Sequence, residues 1–395
     1  MIYGLRRIII IKQFYLCFFE FKEFELIYYF GYYTKNGNPN NFFEFPGCNN
    51  KMSYIVRGIK KNNISVSVMC LGESKDGVSH SNKKLKIDSL EDNFFIGTTK
   101  YRVFSKLYLY FQIINLLLFR VKKNDTVIFY HSYYLLFLFK SIKAFKRFNL
   151  IIEVEESYKA AWGKSDSEIH NEIENLKGAD AYIYVNDLLP KFIENTKPYV
   201  VCYGAYQVKD TLSTKISSEK KRIVYAGLIA DKDDSDIYLA LNSMKYLDNS
   251  YSLSILGYGS DYALNKLKQY IVEKDLSNNV VYEGFLKGDD YINFLNNCDF
   301  AINPRVLSDN LSDYTFPSKV LAYLSVGLPV VSTPIRCIEE SKVSDLISFS
   351  ESTDPLSFSN AIKKLNLNTN PVFTIESLDK EFIVDLKRLL ENVAG

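Results

Sequence analysis

The chain of 395 residues is poor in the side chains that build metal centres: it has three histidines, and its six cysteines contain no CxxC pair. Zinc sites need Cys and His clustered at short spacings, so this pattern argues against a structural metal. The cysteines read instead as free thiols of a reducing cytoplasm. Charge of one sign is lacking too. Lys and Arg total 48 against 46 Asp and Glu, a net charge of +2, and that balance excludes a nucleic-acid partner held mainly by counterion release. No apolar run reaches the ~20 residues of a membrane-spanning helix, and no repeat of solenoid period is visible. What the sequence does have is aromatics, with 30 Tyr and 28 Phe beside a single Trp. With 47% hydrophobic and 24% charged residues, disorder, collagen and coiled coil are ruled out. The length suits two domains of ~150–200 residues each.

The stretch 8–19 is apolar but short and broken by Lys12. Arg6 and Arg7 precede it, and Glu20, Lys22 and Glu23 follow where a signal peptide would carry small residues. Two readings stay open for residues 1–24: an extension ahead of the first strand, or a segment whose Arg6, Arg7 and Lys12 rest against a membrane. Leu107–Phe119, rich in Leu, Ile and Tyr and followed by Arg120, Lys122 and Lys123, reads as a buried helix.

Short apolar strands alternate with amphipathic helices, the pattern of parallel sheets built from βαβ units. Strands are expected at 25–30, 64–70, 126–130, 149–154 and 181–185, then at 222–226, 251–256, 279–283, 299–303, 329–332 and 346–349. A polar stretch without apolar periodicity separates the two sets. The expected organisation is an extension (1–24), a first α/β domain (25–206), a linker (207–221), a second α/β domain (222–375) and a C-terminal helix (376–395) with Leu378, Phe382, Leu386 and Leu389 on one face. Two Rossmann-like parallel-sheet domains then face each other across a cleft.

In open parallel sheets, ligands bind at the carboxyl ends of strands. The loop 303–331 is the most informative of these. Pro317 suits a helix start, where exposed N–H groups and the helix dipole favour an anion such as a diphosphate, and Arg305 and Lys319 add full charges beside it. Two solvated cations at an ordinary helix start would look the same. Gly227, and Gly257 and Gly259, permit close backbone approach to a ligand, or simply make tight turns. Lys232 lies within reach of a phosphate, in a loop shared with Asp231, Asp233 and Asp234. In the first half, His131 directly follows the strand 126–130. Glu153, Glu155 and Glu156 crowd the end of 149–154, where mutual repulsion calls for solvent, cations or a raised pKa. A hydrated strand end and a site for a polyhydroxylated acceptor both fit.

Phe316-Pro-Ser-Lys-Val-Leu-Ala-Tyr-Leu-Ser-Val-Gly-Leu-Pro-Val-Val331 resembles the donor-site signature of retaining family 4 glycosyltransferases, which have the GT-B architecture. Tyr225-Ala-Gly227, Leu256-Gly-Tyr-Gly259, Val281-Tyr-Glu-Gly284 and Asp299-Phe-Ala-Ile-Asn-Pro304 follow the order of that family, and the likeness covers 222–350. The first domain matches more loosely, through Gly31, Pro46–Lys51 and Tyr130-His131-Ser132. The resemblance implies transfer of a sugar, with retention, from a nucleotide-sugar donor to a glycan or lipid-linked acceptor in surface polysaccharide biosynthesis. It implies no metal and no cofactor beyond the donor, and a cytoplasmic protein that contacts the inner face of the membrane. Donor contacts are implied for Gly31, Gly227, Lys232, Arg305, Phe316, Ser318 and Lys319, with His131 positioning the sugar and Glu156 facing the acceptor. Three positions depart from the pattern. Ala322 stands where the family carries a ribose-binding Glu, Tyr314 replaces its partner acid, and Leu228 replaces a basic residue. These departures open a second possibility, a GT-B module that binds a glycan or a partner enzyme without turnover.

Overall fold

The computed structural model describes residues 26–208, 219–232, 235–306, 311–367 and 370–394. The expected extension 1–24, most of the linker 207–221, and Asp233 and Asp234 lie outside the described residues. The first sheet contains β1 (Ile27–Gly31), β2 (Val66–Cys70), β3 (Lys83–Lys86), β4 (Glu91–Phe95), β5 (Thr126–Tyr130), β6 (Asn149–Val154), β7 (Ala181–Tyr184) and β8 (Tyr199–Val201). Its eight strands run in the order β3-β4-β2-β1-β5-β6-β7-β8, all parallel except β3. The second sheet contains β9 (Lys221–Leu228), β10 (Tyr251–Tyr258), β11 (Val280–Gly284), β12 (Phe300–Asn303), β13 (Val330–Ser332) and β14 (Ile347–Phe349). Its six strands run β11-β10-β9-β12-β13-β14, all parallel. The apolar runs read from the sequence are the central strands of both sheets, buried on both faces as parallel sheets require.

Both sheets reverse their winding beside their first strand. β1 lies between β2 and β5, and β9 lies between β10 and β12. A crevice opens at each such switch point, outside the carboxyl ends of the strands. Gly31 and His131 sit at the first crevice, and Gly227 and Arg305 at the second.

The terminal helix Val372–Ala394 packs against the first domain. Phe382 stacks on Tyr54 with ring centroids 5.1 Å apart. Asp379 accepts hydrogen bonds from Tyr54 and Arg57 of the helix Pro46–Lys61, and the Asn62 amide donates to the Ile383 carbonyl at 3.0 Å. Apolar packing is continuous from the first domain through Phe316, Val320 and Leu321 to this helix, so the two sheets are joined by a shared core as well as by the connecting chain.

The helix Arg102–Asn115, extended by a π-helical segment Leu116–Arg120, departs from expectation. Only one side of it is buried, through Ile113 and Leu117, while Phe104, Leu107, Phe111 and Phe119 face solvent. The sequence is apolar nearly all round, but the sheet covers a single face.

Candidate functional site

The helix of the expected donor loop is short. It spans Ser318–Leu324, seven residues, with Pro317 in the capping position at φ −72° and ψ 97°. It ends at Gly327, whose φ of +81° favours glycine. Tyr323 is fully buried and its hydroxyl accepts the Ala226 N–H at 2.8 Å, which ties the helix to the end of β9. On the next turn towards the cleft, the Lys319 ammonium lies 4.6 Å from the centre of the Tyr225 ring. A methyl group on Gly227 would approach it to 3.1 Å and the Tyr225 hydroxyl to 2.9 Å, so Gly227 makes room for these two groups. Gly257 is required for another reason: a Cβ there would lie 1.9 Å from the Gly227 carbonyl.

Lys319 and Arg305 form the basic core of the site. Burial depresses the Lys319 pKa, and the nearby Arg305 lowers it further against the opposing pull of Asp236, bringing it to about 8. Lys319 is half-buried, and an ammonium with a pKa that low lacks a full counter-charge, which an incoming anion would supply. Asp236 is engaged elsewhere, accepting the Val306 N–H at 3.0 Å. Ser318 and Lys232 are exposed at the rim.

Across the cleft, the structure separates the three crowded glutamates of the first domain. Glu153 is fully buried, accepts a hydrogen bond from the Tyr29 hydroxyl, and is pushed well above the usual carboxylate range by burial and by Glu155. Glu155 pairs with the buried Lys51 at 3.0 Å. Glu156 is half-buried, and burial with Glu155 and Glu172 raises its pKa while Arg305 of the second domain lowers it. Cations and raised pKa values together are thus the remedy for the crowding, and Glu156 is the member brought opposite the basic pair.

His131 is 2% exposed, and burial drops its pKa to about 4, partly offset by a hydrogen bond to the Glu156 backbone. At neutral pH it is an uncharged ring that holds the Glu156 loop, rather than a charged acid. Its folded pKa lies below its unfolded value, so between them the unfolded chain binds the additional proton. The His131 contribution to stability should therefore fall by about 2–3 kcal/mol as the pH drops from 6.5 towards 4. Urea unfolding of the wild type and His131→Gln at both pH values checks this, the wild type losing that much relative to the variant.

For Gly31 and Phe316 the structure shows packing. A Cβ on Gly31 would meet the Met52 sulfur at 2.5 Å, so the missing side chain accommodates the helix 46–61. Phe316 is 5% exposed and stacks on Tyr203, centroids 4.8 Å apart.

Several site residues carry no signal in the sequence. Asn186 is fully buried at the end of β7. Its amide donates to the carbonyls of Asp313 and Thr315 at 3.1 and 3.0 Å, while its carbonyl accepts from the N–H groups of Leu188 and Leu189. One first-domain side chain thus fixes the loop leading into the donor helix. Tyr314, in that loop, packs on Phe192 with centroids 5.0 Å apart. Glu172, also buried, receives the N–H groups of Tyr158 and Lys159 at 3.0 and 2.9 Å. It thereby anchors an aromatic group in which Tyr158, Tyr133 and Tyr134 all lie within 6.4 Å of Trp162 and Lys159 lies over Tyr133 and Trp162. Such clusters form only in three dimensions, and no local spacing announces them. Among the described residues, no three His, Cys, Asp or Glu side chains gather to hold a metal ion.

Residues 220–368 match the family model described as glycosyl transferases group 1. The second domain is therefore similar to the group 1 glycosyltransferase domains. No curated protein matches the chain at the sequence level. Solved structures extend the likeness to both domains. Anabaena HepE in complex with UDP is 11% identical, with 94% of this chain and 98% of that one covered at a TM-score of 0.61. A trehalose-6-phosphate protein from E. coli bound with UDP-2-fluoro glucose is 10% identical, with 93% and 97% covered at 0.63. The pneumococcal O-GlcNAc transferase GtfA in complex with UDP and GlcNAc is 11% identical, with 93% and 99% covered at 0.60. At such identities the likeness establishes the fold, and that fold is GT-B.

Proposed function

We propose that the protein transfers a sugar from a nucleotide-sugar donor, with retention and without a metal, to a glycan or lipid-linked acceptor in surface polysaccharide assembly at the inner face of the membrane. The observation that carries this reading is the half-buried Lys319, 4.6 Å from the Tyr225 ring centre and close to Arg305, at the switch point of a domain similar to group 1 glycosyltransferases. Two fixed cations would neutralise the diphosphate as it leaves, work that an electrostatically prepared site performs without reorganisation. Gly227 makes room for the Lys319 ammonium, and Ser318 and Lys232 stand at the rim for the outer phosphate. Structural neighbours with bound UDP or a UDP-sugar support this choice of ligand class.

On the acceptor side, neutral His131 positions the Glu156 loop, and the Trp162 group offers flat aromatic faces to a sugar ring. Trp162→Ala should raise the acceptor KM about tenfold, equivalent to ~1.4 kcal/mol, and leave the donor Kd unchanged. Steady-state kinetics with the acceptor varied, beside a donor titration, would separate the two effects.

A second reading, binding without turnover, is favoured by one observation. Ala322 offers no ribose ligand, and Tyr314 is committed to Phe192. Ala322→Glu distinguishes the two. A large gain in donor binding marks a decayed site, whereas loss of existing transfer marks a working site adapted to its alanine.

A further inference from the structure

The largest unexplained feature of the surface lies on the outer face of the first domain. The helix Arg102–Asn115 and its π-helical extension show solvent Phe104, Leu107, Phe111 and Phe119, the last 83% exposed. The neighbouring helix Leu136–Lys146 adds Phe137 and Phe145, each more than half exposed. The two helices form one face. Tyr110 meets Phe137 edge-on with centroids 6.1 Å apart, and Lys146 donates to the Leu118 carbonyl at 2.8 Å. A lone exposed phenylalanine needs no explanation, but a continuous face with five of them does.

Charge makes the occupant specific. Between residues 97 and 152 the sequence holds ten Lys and Arg and one acid, Asp125, in a chain whose totals otherwise nearly cancel. Asp125 is buried, so it does not offset the basic surface. Lys100, Lys106, Lys122, Lys123 and Arg147 are exposed around the aromatic face, while Lys143 is already paired with Asp180 at 3.0 Å. Aromatics ringed by long basic side chains match a bilayer interface, with the rings at acyl-chain depth and the cations among anionic headgroups. A surface mating with a protein of ordinary composition would carry acids among its bases, and the segment 97–152 that builds this face contributes no exposed acid.

We propose that this face docks the first domain on an anionic lipid surface. It continues to the rim of the cleft, because Lys106 lies over the Tyr134 ring at 5.2 Å and Tyr134 lies 6.4 Å from Trp162. A lipid-linked acceptor held in the bilayer would therefore enter beside the aromatic group already described. The docking surface itself stands on exposure and charge, independently of the donor-site assignment.

Flotation of the full chain with vesicles of phosphatidylglycerol and phosphatidylcholine, against phosphatidylcholine alone, tests the proposal. The expected result is binding to the anionic vesicles only, weakened by raising salt to about 0.5 M. Phe104→Ser/Phe111→Ser/Phe119→Ser should reduce it at least about tenfold. Lys122→Glu/Lys123→Glu should reduce it as well, with melting temperature and UDP binding unchanged in both variants. Absence of vesicle binding by the parent chain overturns the proposal, as does full binding by the two variants. A solution dimer that the triple serine variant dissociates, in a chain that ignores vesicles, would also overturn it and make the face an interface between copies.

Discussion

Replacing Lys319 by alanine should weaken nucleotide-sugar binding by about 10- to 100-fold while leaving the protein at least as stable. A charge-assisted hydrogen bond to a diphosphate is worth roughly 1.5–3 kcal/mol, and every 1.4 kcal/mol is tenfold in affinity. The stability half of the prediction follows from the depressed pKa of about 8. A lysine held below its ordinary value opposes folding at neutral pH, so its removal relieves the protein even though the contact with Tyr225 is lost. The same depression sets the pH profile. Lys319 discharges as the pH passes about 8, so donor affinity should be steady below that point and fall about tenfold by pH 9. Lys319→Arg keeps its charge throughout and should abolish that fall. Calorimetric titration of UDP into the three proteins between pH 7 and 9, with thermal melts alongside, checks all of this. Equal affinity in the alanine variant would remove Lys319 from the site.

The second large effect concerns the support beneath the acceptor side. Lys51→Met should destabilise the protein by about 3–5 kcal/mol, because it removes one partner of a buried ion pair. Lys51 is 5% exposed, pairs with Glu155 at 3.0 Å, and donates to the Cys202 carbonyl. Burial works against its ammonium, and Cys202, Glu155 and Glu153 more than restore it, leaving its pKa raised. Without Lys51, the Glu155 carboxylate would lose its buried partner, and the loop bearing Glu156 would shift with it. Glu153→Gln provides the contrast. Because burial keeps Glu153 protonated well above its usual range, the unfolded chain ionises first as the pH rises above about 4.5, and the wild type loses stability over that interval. The amide substitution should cost less than about 1 kcal/mol at pH 7 and remove that loss. Denaturant unfolding of both variants at pH 5 and 8 separates the two carboxylates. Equal destabilisation by both would contradict the assignment of charge to Glu155 and proton to Glu153.

The central strands were legible because parallel sheets bury both faces, which turns each strand into an apolar run such as Ile151-Ile-Glu-Val154. The edge strands β3 and β8, and β4 beside the first of them, were not. Lys83–Lys86 is mostly exposed, Glu91–Phe95 alternates, and Tyr199–Val201 is three residues long, so none forms the run that marks a strand. In the candidate site, Lys319, Arg305 and Glu156 are proposed from their place in loops after strand ends. Gly31 and Phe316 shared that position, yet the space beside Gly31 belongs to Met52 and the face of Phe316 to Tyr203. Local spacing cannot tell a glycine that admits a ligand from one that admits a side chain. Asn186, Glu172 and Trp162 act through long-range partners 13 to 129 positions away or through rings gathered by the fold, and only the assembled structure reveals them. Composition makes Leu107–Phe119 read as a buried helix, and the fold shows that composition fixes how apolar a helix is without fixing which side is covered.

Lys319 and Arg305 are proposed to hold the diphosphate of a sugar donor. Titration of the full chain with UDP-, GDP- and CDP-linked sugars, followed by mass spectrometry of the mixture with and without a glycan acceptor, tests it most directly. The account predicts saturable binding of one nucleotide class, lost in the Arg305→Ala/Lys319→Ala double variant, and release of the free nucleoside diphosphate when acceptor is present. Failure of every nucleotide sugar to bind, or binding that the double variant retains in full, would contradict it.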